Sequence, residues 1–300
     1  MSKMNGGFND DDDDDEVKMI SAEGEASGTQ TPAGVRGTIA VDMDDVLCQT
    51  NQTIVDMHND MFGVQPPLTL DDFKHYLYWQ NRGWGTPAET VEMVTKLYAN
   101  GLYMRATPIP GARERLLELK KRGYRLIIIT ARSERQREGT EDWLEEFMPD
   151  IFDELHFTGA FQHLDPTTEE LTGHAAKKAF VSHHKRTKAE VVHQTQALLL
   201  IDDSAENALD ASRADPPVKV LLFGQYPWNA VIGAPERDDE IDKMTYVEWG
   251  QQGLMGRVEE RRKKRIEEDW LPDHVERVAS WDEVVRWLEK WEADGRPALL

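Results

Sequence analysis

The stretch Thr38-Ile39-Ala40-Val41-Asp42-Met43-Asp44-Asp45-Val46-Leu47 decides the fold. Its first four residues form a continuous, β-rich apolar run after Gly37, the pattern of a parallel strand buried on both faces. The run ends in carboxylates, which a parallel strand delivers to the carboxyl edge of its sheet, where open α/β folds place their ligands. Residues two apart on an extended segment point the same way, so Asp42 and Asp44 can face one site. A helix N-cap or an Asx turn accounts for one aspartate there. It does not account for Asp42, Asp44 and Asp45 together. Carboxylates this close repel unless one holds a proton or a cation neutralises them.

Four more strand candidates follow: Tyr124–Thr130, Glu154–Phe157, Ala197–Ile201 and Val218–Phe223. Helical patterns separate them at Ala112–Arg122, Glu134–Phe147, Lys188–Gln196 and Ala205–Arg213, and Trp281–Trp291 closes the chain with Ser280 as its expected N-cap. Alternating strands and helices predict a parallel sheet in an α/β, Rossmann-like, three-layer arrangement. Residues 49–107 break the alternation. They are rich in aromatics, read as mostly helical, and end at Pro108-Ile109-Pro110-Gly111. This predicts a small helical insertion hanging over the carboxyl edge, with residues 37–48 and 108–300 forming the core. Residues 226–256 read as irregular.

Residues 1–36 show no apolar periodicity and carry nine acids against three bases, including the run Asp10 to Asp15. Such a segment cannot bury enough apolar surface to order itself, so a disordered acidic tail is expected. The whole chain has a net charge of −21, which argues against a nucleic-acid polymer as partner, since phosphate backbones call for clustered Lys and Arg. The one basic cluster, Arg261 to Arg265, is flanked by acids, with Glu259/Lys263 and Glu260/Lys264 spaced as i,i+4 pairs of a solvated helix. The single cysteine, Cys48, leaves no internal disulfide framework. No segment approaches the roughly 20 apolar residues of a membrane helix. The acidic start is unlike a secretory or mitochondrial leader, so an intracellular, cytoplasmic protein is expected, with the nucleus left open.

The second strand ends in Thr130-Ala131-Arg132-Ser133 ahead of a helix, and a hydroxyl with backbone N–H groups at that edge suits an anion. Lys188 opens the helix before the fourth strand, with Lys185 and Arg186 as nearby competitors. The fourth strand runs into Asp202-Asp203-Ser204, a second apolar strand ending in paired carboxylates. Magnesium accounts for this pattern, because it takes oxygen ligands and uses one or two carboxylates plus substrate phosphate. Asp42 and Asp203 can supply the carboxylates and the Asp44 carbonyl a third oxygen.

In these four motifs, in order, the chain resembles the haloacid dehalogenase (HAD) superfamily of phosphohydrolases. Pro110-Gly111, Thr130-Ala131-Arg132, His156-Phe157-Thr158-Gly159 and Ile201-Asp202-Asp203 look most like its C-type 5′-nucleotidases (deoxyribonucleotidases). The resemblance implies a Mg²⁺-dependent phosphatase acting on a small phosphomonoester. Asp42 would be the nucleophile that becomes an aspartyl-phosphate, and Asp44 the general acid and base, with a raised pKa for the first step. Thr130, Ala131 and Lys188 would hold the phosphoryl oxygens. Asp42, Asp44 and Asp203 would bind the metal, with Asp202 behind them. The insertion would be the family's cap, with Trp79, Asn81, Arg82 and Trp84 as candidate substrate contacts. The alternatives are a phosphatase of sugar phosphates or other metabolites, and an idle domain serving as a binding module.

Overall fold

The computed structural model describes residues 35–159, 186–233 and 240–295. The expected tail, except for its last two residues, and Lys185 lie outside the described residues. Strands β1 (Gly37–Val41), β2 (Tyr124–Thr130), β3 (Glu154–Phe157), β4 (Ala197–Asp202), β5 (Val220–Phe223) and β6 (Val275–Val278) form one sheet in the order β3-β2-β1-β4-β5-β6. Every pairing is parallel. The chain reverses direction across the sheet at β1/β4, the switch point where open α/β sheets leave a crevice. β6 was not expected. Its core is Glu276-Arg277, and charge on a four-residue edge strand hides the apolar signal while discouraging edge pairing.

Alternation along each strand divides two apolar layers. Ile39, Val41, Leu126 and Ile128 pack on one side with Leu116 of α4 (Ala112–Lys121), Trp143 of α5 (Arg137–Phe147) and the closing helix. Ala40, Ile127, Ile129, Leu200 and Leu222 pack on the other with helices over Lys188–Thr195 and Ala205–Ser212. Both faces of the sheet are therefore covered, which explains the near-continuous apolar strands. Glu134–Gln136 is a 3-10 turn rather than the start of α5.

The insertion holds α1 (Thr50–Phe62), α2 (Pro87–Ala99) and α3 (Leu102–Arg105). The segments on either side of it run together: Gln49 N donates to Thr107 O at 2.8 Å and Ile109 N to Leu47 O at 2.8 Å. It has an apolar cluster of its own, including Ile54, Met57, Phe73, Trp84 and Leu97, which also takes in Trp228 from beyond β5.

Following α6 (Lys188–Thr195) and α7 (Ala205–Ser212), the stretch read as irregular yields α8 (Tyr246–Gln251) and runs into α9 (Met255–Glu268). The ion pairs on α9 fall one turn later than expected, at Lys263–Glu267 and Lys264–Glu268, both 3.9 Å. Glu259 instead meets Lys74 of the insertion at 3.1 Å, so one side of this helix is a contact face. In α10 (Trp281–Ala293), Ser280 occupies the N-cap position without a side-chain bond, and Glu283 accepts from Ala279 N instead. Among the described residues, no helix is long and apolar enough to cross a membrane.

Candidate active site

The β1/β4 register sets Val41 beside Ile201, and Asp42 N donates to Ile201 O at 2.8 Å. The next side chains, Asp42 and Asp202, therefore leave the sheet side by side. Asp42, Asp202 and Asp203 each offer an oxygen, and these atoms lie within 4.8 Å of one another. Lys188, at the first turn of α6, reaches between them: its Nζ is 2.6 Å from Asp202 Oδ2 and 2.8 Å from Asp42 Oδ1. All four side chains are buried. Burial pulls the Lys188 ammonium down, but the Asp202 and Asp42 charges outweigh this and hold it above its ordinary value.

The carboxylates differ in how their oxygens are spent. Asp202 Oδ2 takes the lysine, and Oδ1 accepts from Ser204 N at 3.0 Å and Asn207 Nδ2 at 3.1 Å. Asp203 Oδ2 accepts from Trp228 Nε1 at 2.6 Å. Asp42 Oδ1 is buried and, despite the nearby ammonium, has no hydrogen bond of good geometry. Burial pushes the Asp42 carboxyl up to about 7; Lys188 opposes this, and Asp202 and Asp44 add to it. Asp203 is also pushed well up, by burial and then by Asp45, Asp42 and Asp202. This is an excess of buried negative charge on oxygen donors, with one ammonium shared between two of the carboxylates. A hard divalent cation fits that need.

Asp44 behaves in the opposite way. Arg132 grips it as a fork, Nε to Oδ2 at 3.0 Å and Nη2 to Oδ1 at 2.6 Å, and Thr50 Oγ1 donates to Oδ1 at 2.5 Å. Burial would raise this carboxyl, but the guanidinium outweighs it and holds Asp44 below the ordinary carboxylate range. The raised pKa expected for its acid role is therefore absent in this state. Arg132 also lies over the Tyr103 ring, 4.2 Å from its centroid, and Tyr103 stacks on Tyr98. Thr130 is fully buried at the end of β2, and its hydroxyl accepts from Arg132 N at 3.2 Å. Ala131 is half-buried in the turn that follows.

The candidate substrate contacts of the insertion are mostly engaged within it. Trp84 is fully buried in its apolar cluster. Asn81 accepts from Lys74 N and His75 N and donates to His75 O and Leu77 O, which uses its whole amide. Arg82 forks onto Asp72 and caps the carbonyls of Pro66 and Pro67. Trp79 is half-buried in a short helical turn. The insertion's aromatics that approach the carboxylates are tyrosines. Burial, then Glu206, Asp202, Asp203 and Asp42, raise the Tyr76 hydroxyl, and burial, then Tyr98, Asp45 and Asp44, raise that of Tyr78. Arg132 had a usable signal, since two residues past a strand-end Thr it can return to the same side. Trp228, in a stretch without periodicity, had none.

The family model for the cytosolic type C protein "5′ nucleotidase, deoxy (Pyrimidine)" matches residues 36–159. No curated protein matches the chain. Among solved structures, a conserved haloacid dehalogenase-like protein of unknown function from Agrobacterium tumefaciens superposes with a TM-score of 0.50 at 11% identity, covering 85% of this chain and 99% of that one. A HAD-superfamily hydrolase of subfamily IA from Geobacter sulfurreducens gives 0.39 at 19% identity, over 63% and 89%. A HAD family hydrolase from Deinococcus radiodurans, with bound phosphate and sodium, gives 0.41 at 15%, over 66% and 85%. The matched segment and the shared sheet agree with the resemblance drawn from the four motifs: segment 36–159 is similar to the cytosolic type C 5′-nucleotidases, and the chain shares the fold of the haloacid dehalogenase-like protein from Agrobacterium tumefaciens.

Proposed function

We propose that this chain is a Mg²⁺-dependent phosphatase that cleaves a small phosphomonoester, a nucleoside 5′-monophosphate, through an aspartyl-phosphate on Asp42. The buried Asp42 carboxylate, which faces the Lys188 ammonium at 2.8 Å but takes no backbone or amide cap among the described residues, carries the reading. A structural carboxylate at a strand end would be capped, as Asp202 is. A nucleophile needs an oxygen free of such caps.

Asp42, Asp203 and the Asp44 carbonyl are the oxygens that would hold the cation. Asp202, with both oxygens spent, orients Lys188 rather than binding directly. When bound, the cation neutralises the carboxylates and the phosphoryl group, lowering the repulsion between two anions. Asp42 attacks phosphorus as the ester P–O bond breaks, and Asp44 gives its proton to the departing oxygen. Asp44 then takes a proton from the water that attacks the aspartyl-phosphate, which frees Asp42 and inorganic phosphate. Lys188 and Thr130 hold the phosphoryl oxygens. Arg132 favours the base half of this cycle. For the acid half it must turn part of its grip over to the substrate phosphate, an anion its fork suits equally well.

The insertion serves as the cap, closing water out and selecting the leaving group. Tyr76, Tyr78, Tyr98 and Tyr103 give it an aromatic wall, and the name of the matched family supports a nucleoside on that side. The test is phosphate release from ribo- and deoxyribonucleoside monophosphates, sugar phosphates and an aryl phosphate, with Mg²⁺ and with EDTA. Mg²⁺-dependent release centred on nucleotides is expected. Release confined to other metabolites would retain the chemistry and discard the nucleotide. Absence of release throughout, in a protein that still binds the cation, would leave a binding module.

A further inference from the structure

The turn after β5 does more than connect elements. Its Trp228 indole donates to Asp203 Oδ2 at 2.6 Å inside the protein, and Asn229 Nδ2 donates at 2.9 Å to both Asp203 O and Phe223 O. Tyr226 stacks flat on Trp228, centroids 4.3 Å apart at 7°, and its hydroxyl donates to Asp45 O at 2.9 Å. The turn's own carbonyls are held from two sides, Pro227 O by Arg262 at 2.8 Å and Asn229 O by Arg277 at 2.9 Å. Trp228 is buried against the insertion's apolar cluster, so the ring has little freedom to rotate away.

We propose that Trp228 is a positioning residue for the cation site. Its N–H fixes the rotamer of Asp203 by occupying Oδ2, and it leaves the second oxygen of that carboxylate without a protein donor among the described residues, free for a divalent ion. A free carboxylate would rotate and bind with either oxygen or both. One pinned by a rigid, buried donor offers a single oxygen at a fixed place, the arrangement a small, geometrically demanding cation requires. The inference rests on reading the carboxylates as a cation site.

The test uses the full chain and Mn²⁺ as probe, with affinity measured by electron paramagnetic resonance and calorimetry in the absence of substrate. W228F keeps a ring to stack on Tyr226 but removes the donor. Its Mn²⁺ affinity should fall about 10- to 100-fold, the range for loss of a partner behind a metal ligand. Its thermal unfolding without metal should stay close to that of the unaltered chain. D203N is the companion variant and should lose nearly all binding. If D203N binds poorly while W228F binds like the unaltered chain, the role of Trp228 is overturned and the cation site stands. If D203N binds normally, the cation site is misplaced and the inference falls with it. Should W228F fail to fold, the unaltered chain labelled with ¹⁵N-tryptophan decides: one indole N–H resonance should shift on addition of Mg²⁺ and be displaced in D203N. Failure of any indole resonance to respond overturns the proposal.

Discussion

The ends of β1 and β4 carry similar sequences, apolar strands running into aspartates, but they are finished differently. At β4, Asp202 is saturated by Lys188, Ser204 N and Asn207, and Asp203 is held by Trp228. At β1, Asp42 shares the Lys188 ammonium at 2.8 Å but takes no cap of the kind Asp202 has, and Asp44 is drawn aside by Arg132. One end is an anchor, built from local caps and a buried ion pair. The other holds charge in reserve, and its cost is borne by burial next to like charges. The difference teaches that motif resemblance locates carboxylates, while the donors around each one decide its task.

The largest effect separating the two ends should come from Asp42. D42N is expected to lower phosphate release at least about 1,000-fold, as loss of a nucleophile does, while costing the metal-free protein less stability than D202N, because the lost pairing with Lys188 is offset by relief of a carboxylate buried beside like charges. Steady-state kinetics and denaturant unfolding read the two halves of that statement. A loss of stability as large as that of D202N would mean that Asp42 is an anchor as well.

D202N should carry the larger cost in stability. It removes a charge partner from buried Lys188, and breaking a buried pair costs about 3–5 kcal/mol. Urea unfolding in EDTA measures it, and a change below 1 kcal/mol, roughly the value of an exposed pair, would erase the distinction between the ends.

A third outcome concerns pH. The Asp42 carboxyl sits near 7 in the folded chain against an ordinary 3.8. A raised folded value means the native state holds the proton more tightly than the unfolded chain. The associated stability is present below about pH 4 and is lost as pH climbs through 7. The metal-free protein should therefore melt at lower temperature at pH 8 than at pH 5, by a share worth at most about 4 kcal/mol. D42N should flatten that slope, and a saturating divalent cation should reverse it. Calorimetry across this window, with and without cation, checks the sign.

The smallest change should follow R132K, which keeps the charge and loses the fork. Its kcat/KM should fall about 10-fold. Because Arg132 holds Asp44 low, loosening it lets that carboxyl rise, so the acid limb of the rate profile should move to higher pH. An unmoved limb would mean that Arg132 only braces the loop.

Much of the core was legible because its signals are local. Ile39 to Val41, Leu126 to Ile129 and Leu199 to Ile201 are unbroken apolar runs, and burial on both faces demands such runs. β6 escaped because an edge strand tolerates Glu276 and Arg277. The order of the strands is written in no single segment. Nor is the clamp on Asp44, whose partner lies 88 residues away. The reading of Trp84 and Asn81 as substrate contacts followed from their chemistry alone. An aromatic ring or an amide in a small helical insertion is first needed to build that insertion's own interior, and both are spent there.

The parallel pairing of β1 with β4 also bears on how the chain is born. Val41 waits for Ile201, on the order of 160 residues later, and at roughly 5–20 residues per second of synthesis that is on the order of ten seconds. Throughout that interval this fully buried strand can have β2 on one side only, with its other edge open. An open, flat, apolar edge is a template for wrong partners. The acids that end β1 are a guard of the kind that discourages such pairing, so the residues proposed for chemistry would also protect the emerging polypeptide before any chemistry begins.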